Sequence, residues 1–410
     1  MENLMPPSVF FRLLYVYSCL SSIEGIGKNA ITDSSWIFRR LEDSTSQTAD
    51  FKHDFGKPVS ARIIFAMSRT RTLVASLVIL FGMTCTATGQ WKKLDPGTDA
   101  SFRGLDVVSE KVIWASGTGG TVIRSIDGGK SWSVFKVEGA EKLDFRDIEA
   151  FSERTAYVLS IGNGKDSRIY KTVDGGESWK LQFENTDKNA FFDSLAFWDE
   201  KHGTAQSDPV NGRYVIYATT DGETWSKLPS EKMPAAKEGE AAFAASGTCI
   251  VTHGNQGLLL ITGGMDARVL YSADRGETWR SSDTPLIKGE GATGIFGIAV
   301  LGKRGVIVGG DYTKPAMNSS NIAYSLDGGK TWSSKREINS FGYRSGVTFV
   351  DEDTLVIVGS GGSDISTDFG NTWNRIDDGN WNAVDSKGRN AVFAVGPAGA
   401  VGKYSFPAAK

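Results

Sequence analysis

Apolar and polar residues alternate in short runs along most of this chain, and the runs come in fours. FRDIEAF (145–151), TAYVLSI (155–161), SRIYKTV (167–173) and WKLQF (179–183) make up one such group. Runs of this length and period predict β-strands. Between the third and fourth runs stands a turn-forming octet that recurs: SIDGGKSW (125–132), TVDGGESW (172–179), SADRGETW (272–279), SLDGGKTW (325–332) and STDFGNTW (366–373). A shorter copy, TTDGETW, occupies 219–225, and the six tryptophans fall at intervals of 47, 46, 54, 53 and 41 residues. The aspartate can accept backbone N–H groups further along the turn, and glycine supplies positive φ. The tryptophan then anchors the next strand in apolar packing.

Four strands per repeat make a propeller blade. Six boxes mark six blades, and three further runs follow the last box: Trp381 to Val384, Ala391 to Val395 and Ala400 to Ser405. These lack a fourth strand. Trp91-Lys92-Lys93-Leu94 repeats the look of the strand after a box, Trp179-Lys180-Leu181, and supplies it. The expected fold is therefore all-β, a seven-bladed β-propeller over 90–406, closed by the N-terminal strand joining the last blade. Closure of this kind removes open sheet edges.

Ahead of the propeller, Arg69 and Arg71 precede the apolar run from Leu73 to Met83, and Ala87-Thr88-Gly89 offers small residues for cleavage. This has the form of a secretory signal peptide at 67–89, with an apolar stretch too short to span a bilayer comfortably. Residues 1–66 then read as an upstream extension that is not native to the product, with Met67 as the true start. The mature protein is expected to begin at Gln90, to be exported to the periplasm or medium, and to have no stable membrane insertion. It would keep one cysteine, Cys249, and so could form no internal disulfide.

The chain of 410 residues carries a net charge of −3, three Cys and three His. Balanced charge argues against a nucleic-acid partner. So few Cys and His exclude a disulfide scaffold and a histidine-rich metal centre. The box aspartates Asp127, Asp174, Asp221, Asp274, Asp327 and Asp368 lack the spacing of a calcium loop. HExxH, CxxC pairs and GxSxG are missing from the sequence and no dinucleotide fingerprint opening a helix supports redox chemistry, so neither a cofactor nor a metal is expected. His202 and His253 read as loop hydrogen-bonders and Cys249 as a small buried apolar residue.

First strands of blades line the central channel. Aligning them puts Arg103, Arg146, Phe192, Gly239, Phe296, Arg344 and Asn382 in one register, and Gly104, Asp147, Asp193, Glu240, Gly297, Ser345 and Ala383 in the next. The channel mouth on the face away from the boxes should thus carry arginines on one side and carboxylates on the other. Two longer loops, 207–212 with Asp208 and 310–315 with Asp311 and Tyr312, should flank it. Loops on a rigid scaffold are where recognition concentrates.

The near-continuous boxes, with FRGLDVV and FRDIEAF as first strands, resemble the photosystem II stability/assembly factor propellers, part of the wider sialidase-like Asp-box group. The resemblance implies a binding or assembly module that meets a partner protein through arginines on one face, and Arg103, Arg146 and Arg344 are the residues here that fit. The alternative is a carbohydrate-active enzyme of sialidase or xyloglucanase type. Asp193, Asp208, Glu240 or Asp311 would then provide an acid and a nucleophile. Against that alternative, the stretch around Arg103 is SFRGL rather than the sialidase FRIP. The favoured expectation is a monomeric binding module for a protein or an anionic or carbohydrate ligand, without catalysis.

Overall fold

The structure, a computed structural model, describes residues 89–335 and 341–407. The reading of 1–66 and 67–89 lies outside these residues, apart from Gly89. The described chain folds into seven antiparallel sheets, one per blade. Blade one is built from Phe102–Val107, Ile113–Gly117, Thr121–Ser125 and Ser133–Lys136, in that order from the channel outward. Blades two, three, four and six repeat the pattern, beginning with Asp144–Ala150, Phe192–Asp199, Ile250–His253 and Gly346–Phe349. Blade five has three full strands, and Ser333 pairs with Tyr324 where its fourth would run.

Blade seven closes the ring as the sequence suggests. Gln90–Leu94 pairs antiparallel with Val401–Ser405, in a register that joins Gln90 to Ser405 and Leu94 to Val401. Trp91 fixes this strand from the side. It packs against Trp381 and Tyr404, and its indole N–H donates to Ser363 Oγ at 2.8 Å in blade six.

Burial explains the strand patterns. Middle strands such as Ile113–Gly117 and Leu355–Gly359 are buried throughout, because a neighbouring blade covers each face. Outer strands such as Ser133–Lys136 remain largely exposed. The core therefore lies between blades. One cluster joins Trp114 and Val122 of blade one to Phe145, Val158 and Tyr170 of blade two. Each fully buried side chain of this size contributes about 1.5–3 kcal/mol.

The boxes are self-contained turns. In the first, Ser125 Oγ donates to Asp127 Oδ1 (2.9 Å), while Lys130 N, Ser131 N and Ser131 Oγ all donate to the same carboxylate. The residue after each aspartate has positive φ. Arg275 (φ 56°) and Phe369 (φ 52°) hold that conformation where other boxes use glycine. The N–H of each of these two residues donates to a carbonyl of the adjacent hairpin, Gln256 for Arg275 and Asp353 for Phe369.

Candidate functional site: the channel mouth

The start of each inner strand decides what reaches the channel. In blades one, two, three and five a β-bulge falls within the first pairs of the ladder, and the bulged residue is Arg103, Arg146, Asp193 and Phe296 in turn. A bulge leaves one residue out of the pairing and re-aims its side chain. Arg103, Arg146 and Phe296 line a cavity of about 470 Å³ at the mouth on the face away from the boxes. Phe243, Tyr312, Tyr343, Trp381 and Asn382 also line it.

One side of this cavity is aromatic. Phe243 stacks on Phe296 with centroids 4.1 Å apart and planes 7° apart, and Tyr343 meets Phe296 edge-on at 4.8 Å. Tyr312, half-exposed on the 310–315 loop, stands edge-on to both phenylalanines. The other side is cationic. Arg103 Nη1 donates to Ala245 O at 3.0 Å, and Arg146 Nη1 donates to Ala244 O at 3.1 Å. Arg146 also pairs with Asp144 at 2.8 Å. Burial, followed by the nearby Arg146 charge, lowers the pKa of the Arg103 guanidinium. An anion arriving beside both arginines would relieve that repulsion.

The floor is a strap of chain that the sequence did not reveal. Residues 242–249 precede the inner strand of blade four and cross the channel. Phe243, Ala244 and Ala245 face the mouth cavity, whereas Ser246, Gly247 and Thr248 line a second cavity of about 380 Å³ on the box side. That lower chamber is acidic along blades seven, one and two, where Asp385, Asp106 and Glu149 line it, and apolar at Val251, Ala299 and Val347.

Several sequence-predicted mouth residues stand elsewhere. Asp147, expected at the mouth, is buried at the level of the lower chamber, accepts Leu195 N (2.5 Å) and Ile148 N (2.8 Å), and lies within hydrogen-bond distance of Ser194 Oγ (2.9 Å). Burial, partly offset by those bonds, raises its pKa to about 7. Asp193 takes the bulge position that alignment gave to Phe192, because Phe192 instead pairs with Ser207 as Phe102 pairs with Gly117. It is buried and accepts Gln206 Nε2 at 3.1 Å. Burial and the Asp208 charge raise its pKa well above the carboxylate range. Asp208 accepts Ala242 N at 2.7 Å, and burial raises its pKa to about 6.

Glu240 does not belong to an inner strand. Glu240–Ala241 forms a short ladder with Gly263–Gly264, and the carboxylate is locked to Arg268 by bonds of 2.9 and 2.6 Å. Arg344 lies ahead of its strand, which starts at Gly346. Its guanidinium is fully buried against Asp364, with Nε at 3.0 Å, and so does not join the other two arginines. Ser345 lines the mouth in its place. Asp311 is buried, and its pKa is lowered by the Thr313 hydroxyl first, with Lys314 also contributing. None of Asp193, Asp208, Glu240 and Asp311 lines the mouth cavity.

Phe296 and Asn382 could be found in the sequence, since first-strand alignment already sets them beside Arg103. Phe243 could not, because it sits in an insertion with no counterpart in other blades.

The BNR/Asp-box repeat family matches residues 323–334, the box of blade five. Over 75 residues, 18% of this chain, the sequence is 36% identical to the photosystem II assembly protein Ycf48 of Synechococcus sp. (strain JA-3-3Ab). The matched stretch spans 22% of that relative. Among solved structures, YCF48 bound to D1 peptide superposes with a TM-score of 0.58 at 14% identity, covering 78% of this chain and 96% of that one. This chain is a seven-bladed β-propeller with Asp-box repeats, and it is similar to the photosystem II assembly proteins. YCF48 from Cyanidioschyzon merolae gives 0.57 at 17% identity, covering 77% of this chain and 99% of that one. The chain also shares its fold with the WD40 β-propeller domain of Doa1, at a TM-score of 0.52 and 12% identity over 78% of this chain and 97% of that domain.

Proposed function

We propose that this propeller is an exported, monomeric binding module that captures a partner protein by an anionic group held at Arg103 and Arg146. The observation that carries the reading is the pairing of two adjacent-blade guanidiniums with an aromatic wall around one closed-bottomed cavity. Guanidiniums offer forked donors to a carboxylate, and the aromatic faces accept an apolar or planar neighbour of that group. The relative whose solved structure is described as bound to a D1 peptide supports a protein as the partner class. The carbohydrate-hydrolase alternative loses support, because its four candidate carboxylates are buried or paired away from the cavity.

The test is capture of fluorescent acidic and neutral peptides of equal length. Acidic peptides should bind, binding should weaken as salt rises, and Arg103→Glu with Arg146→Glu should abolish it while the fold survives. Unchanged capture by the double variant would overturn the reading. Hydrolysis of chromogenic glycosides by the unaltered protein would restore the alternative.

A further inference from the structure

The strap is fastened by a relay that counts protons. Ser194 Oγ lies 2.9 Å from Asp147 Oδ2 and 2.7 Å from the carbonyl oxygen of Gly247 on the strap. A hydroxyl has one proton to donate. Each short contact has a proton of its own when Asp147 carries one on Oδ2 and donates it to Ser194 Oγ, leaving the serine proton for Gly247 O, while Oδ2 goes on accepting Leu195 N. Once Asp147 ionises, its proton passes to solvent, the serine hydroxyl turns to the carboxylate, and the Gly247 carbonyl loses its donor.

We propose that Asp147, Ser194 and Gly247 form a protonation latch that holds residues 242–249 across the channel and lets them go as pH rises. The geometry around Gly247 sharpens the response. A Cβ there would lie 2.4 Å from Asp147 Oδ1, and φ is +75°, so strap and carboxyl approach as closely as only glycine permits. Ionisation would also bring an unpaired charge against that backbone. The charged and titratable groups near Asp147 are mostly of the wrong kind to neutralise it: Asp106, Glu149 and Asp385 of the inner strands, Asp193 of blade three, and the Cys249 thiol on the strap. Of the cations, Arg146 is engaged with Asp144, and Lys387 acts on Asp106 and Asp385. Burial holds the Asp147 proton up to about pH 7, which sets the range of the latch.

The strap also supplies Ala244 O and Ala245 O to the two mouth arginines, so latch and mouth share one element. The effect on partner capture rests on the function proposed above, whereas the latch itself does not.

Peptide-resolved hydrogen exchange on the full chain tests it without any ligand. After correction for the pH dependence of chemical exchange, protection of 243–249 should fall roughly five- to tenfold between pH 5.5 and 8.5, the loss of about one hydrogen bond. The strand Leu355–Gly359 of blade six should stay protected and serves as the internal reference. Ser194→Ala should show low strap protection at both pH values. Asp147→Asn, which cannot ionise, should abolish the pH response whatever its basal level. A pH-independent strap in the unaltered protein, or a full response retained in Ser194→Ala, would overturn the latch. Peptide capture lost to the arginine reversals, with no strap response, would sink the latch alone. A strap response with no peptide capture would sink only the binding function.

Discussion

The carboxylate of Asp106 in blade one accepts the N–H of Ala150 in blade two at 2.6 Å. The same device operates one blade back, where Asp385 accepts Val107 N at 2.7 Å, and one blade on, where Asp147 accepts Leu195 N. A carboxylate on each of these three inner strands thus takes a donor from the next inner strand, and blades seven, one, two and three are stapled in series. Asp106→Ala would leave the Ala150 N–H without its acceptor and should cost about 1–3 kcal/mol. Asp106→Asn keeps an acceptor and should lose less. Urea denaturation of the two variants checks the order.

These staples make stability depend on pH in an unusual direction. Burial, then the neighbouring Asp385 charge, pushes the Asp106 pKa up to about 8, and burial pushes Asp385 up to about 6. With Asp147 at about 7, the native state holds protons that the unfolded chain releases near pH 4. Stability should therefore fall as pH rises from about 4 to 8, since the native state binds more protons throughout that window. Denaturation midpoints between pH 4.5 and 8.5 should decline, and Asp106→Asn with Asp385→Asn should flatten the slope. A midpoint that rises across the window would contradict this.

The boxes act at the opposite end of the scale. The Ser178 hydroxyl and N–H bring Asp174 down to about 2, so its contribution is present above pH 4 and is lost as pH falls toward 2. In blade five, Asp327→Ala removes the acceptor for Lys330 N, Thr331 N and Thr331 Oγ1 and should cost about 1–2 kcal/mol. Thermal unfolding should show the loss. Capture of acidic peptides at the mouth should not change, because the box lies on the other face.

Deletion of residues 90–94 should expose the backbone edge of Val401–Ser405 and remove Trp91 from its place against Trp381 and Tyr404. Unpaired edges recruit other chains. Light scattering on warming should report aggregation at a lower temperature than for the full protein. Equal behaviour of the two would show that the strand is dispensable.

How far the sequence could be read depended on whether a repeat kept its length. The boxes, the blade count and the closing strand depend on local turns and on period-two burial, and these are written residue by residue. Arg103 and Arg146 were found because blades one and two share the same run into the first strand. Arg344 was misplaced because a one-residue shift moves a side chain from the channel to the interior of the blade, and nothing local marks where the blade-six ladder begins. Glu240 was misplaced for another reason. Blade four carries extra residues before Ile250–His253, and its alternating run at 239–243 imitates an inner strand. The strap followed from the same insertion, and its place across the channel depends on contacts with blades one, two, three and five that no single blade encodes.

The pairing of Gln90 with Ser405 also bears on how the molecule is made. A ribosome delivers the first of these residues long before the last, and domains emerge N-terminal first. Until Val401–Ser405 is out, Gln90–Leu94 has no partner and blade one lacks the neighbour that covers Phe102 and Ile123. Every intermediate length is therefore an open arc with a sticky edge at each end. The final step brings together the two most distant strands of the described chain, a slow search of high contact order. During synthesis the exposed arc would depend on holding factors. After closure, unravelling from either end requires the same seam to be broken first, so the finished ring should resist exoproteases far better than its modest strands would suggest.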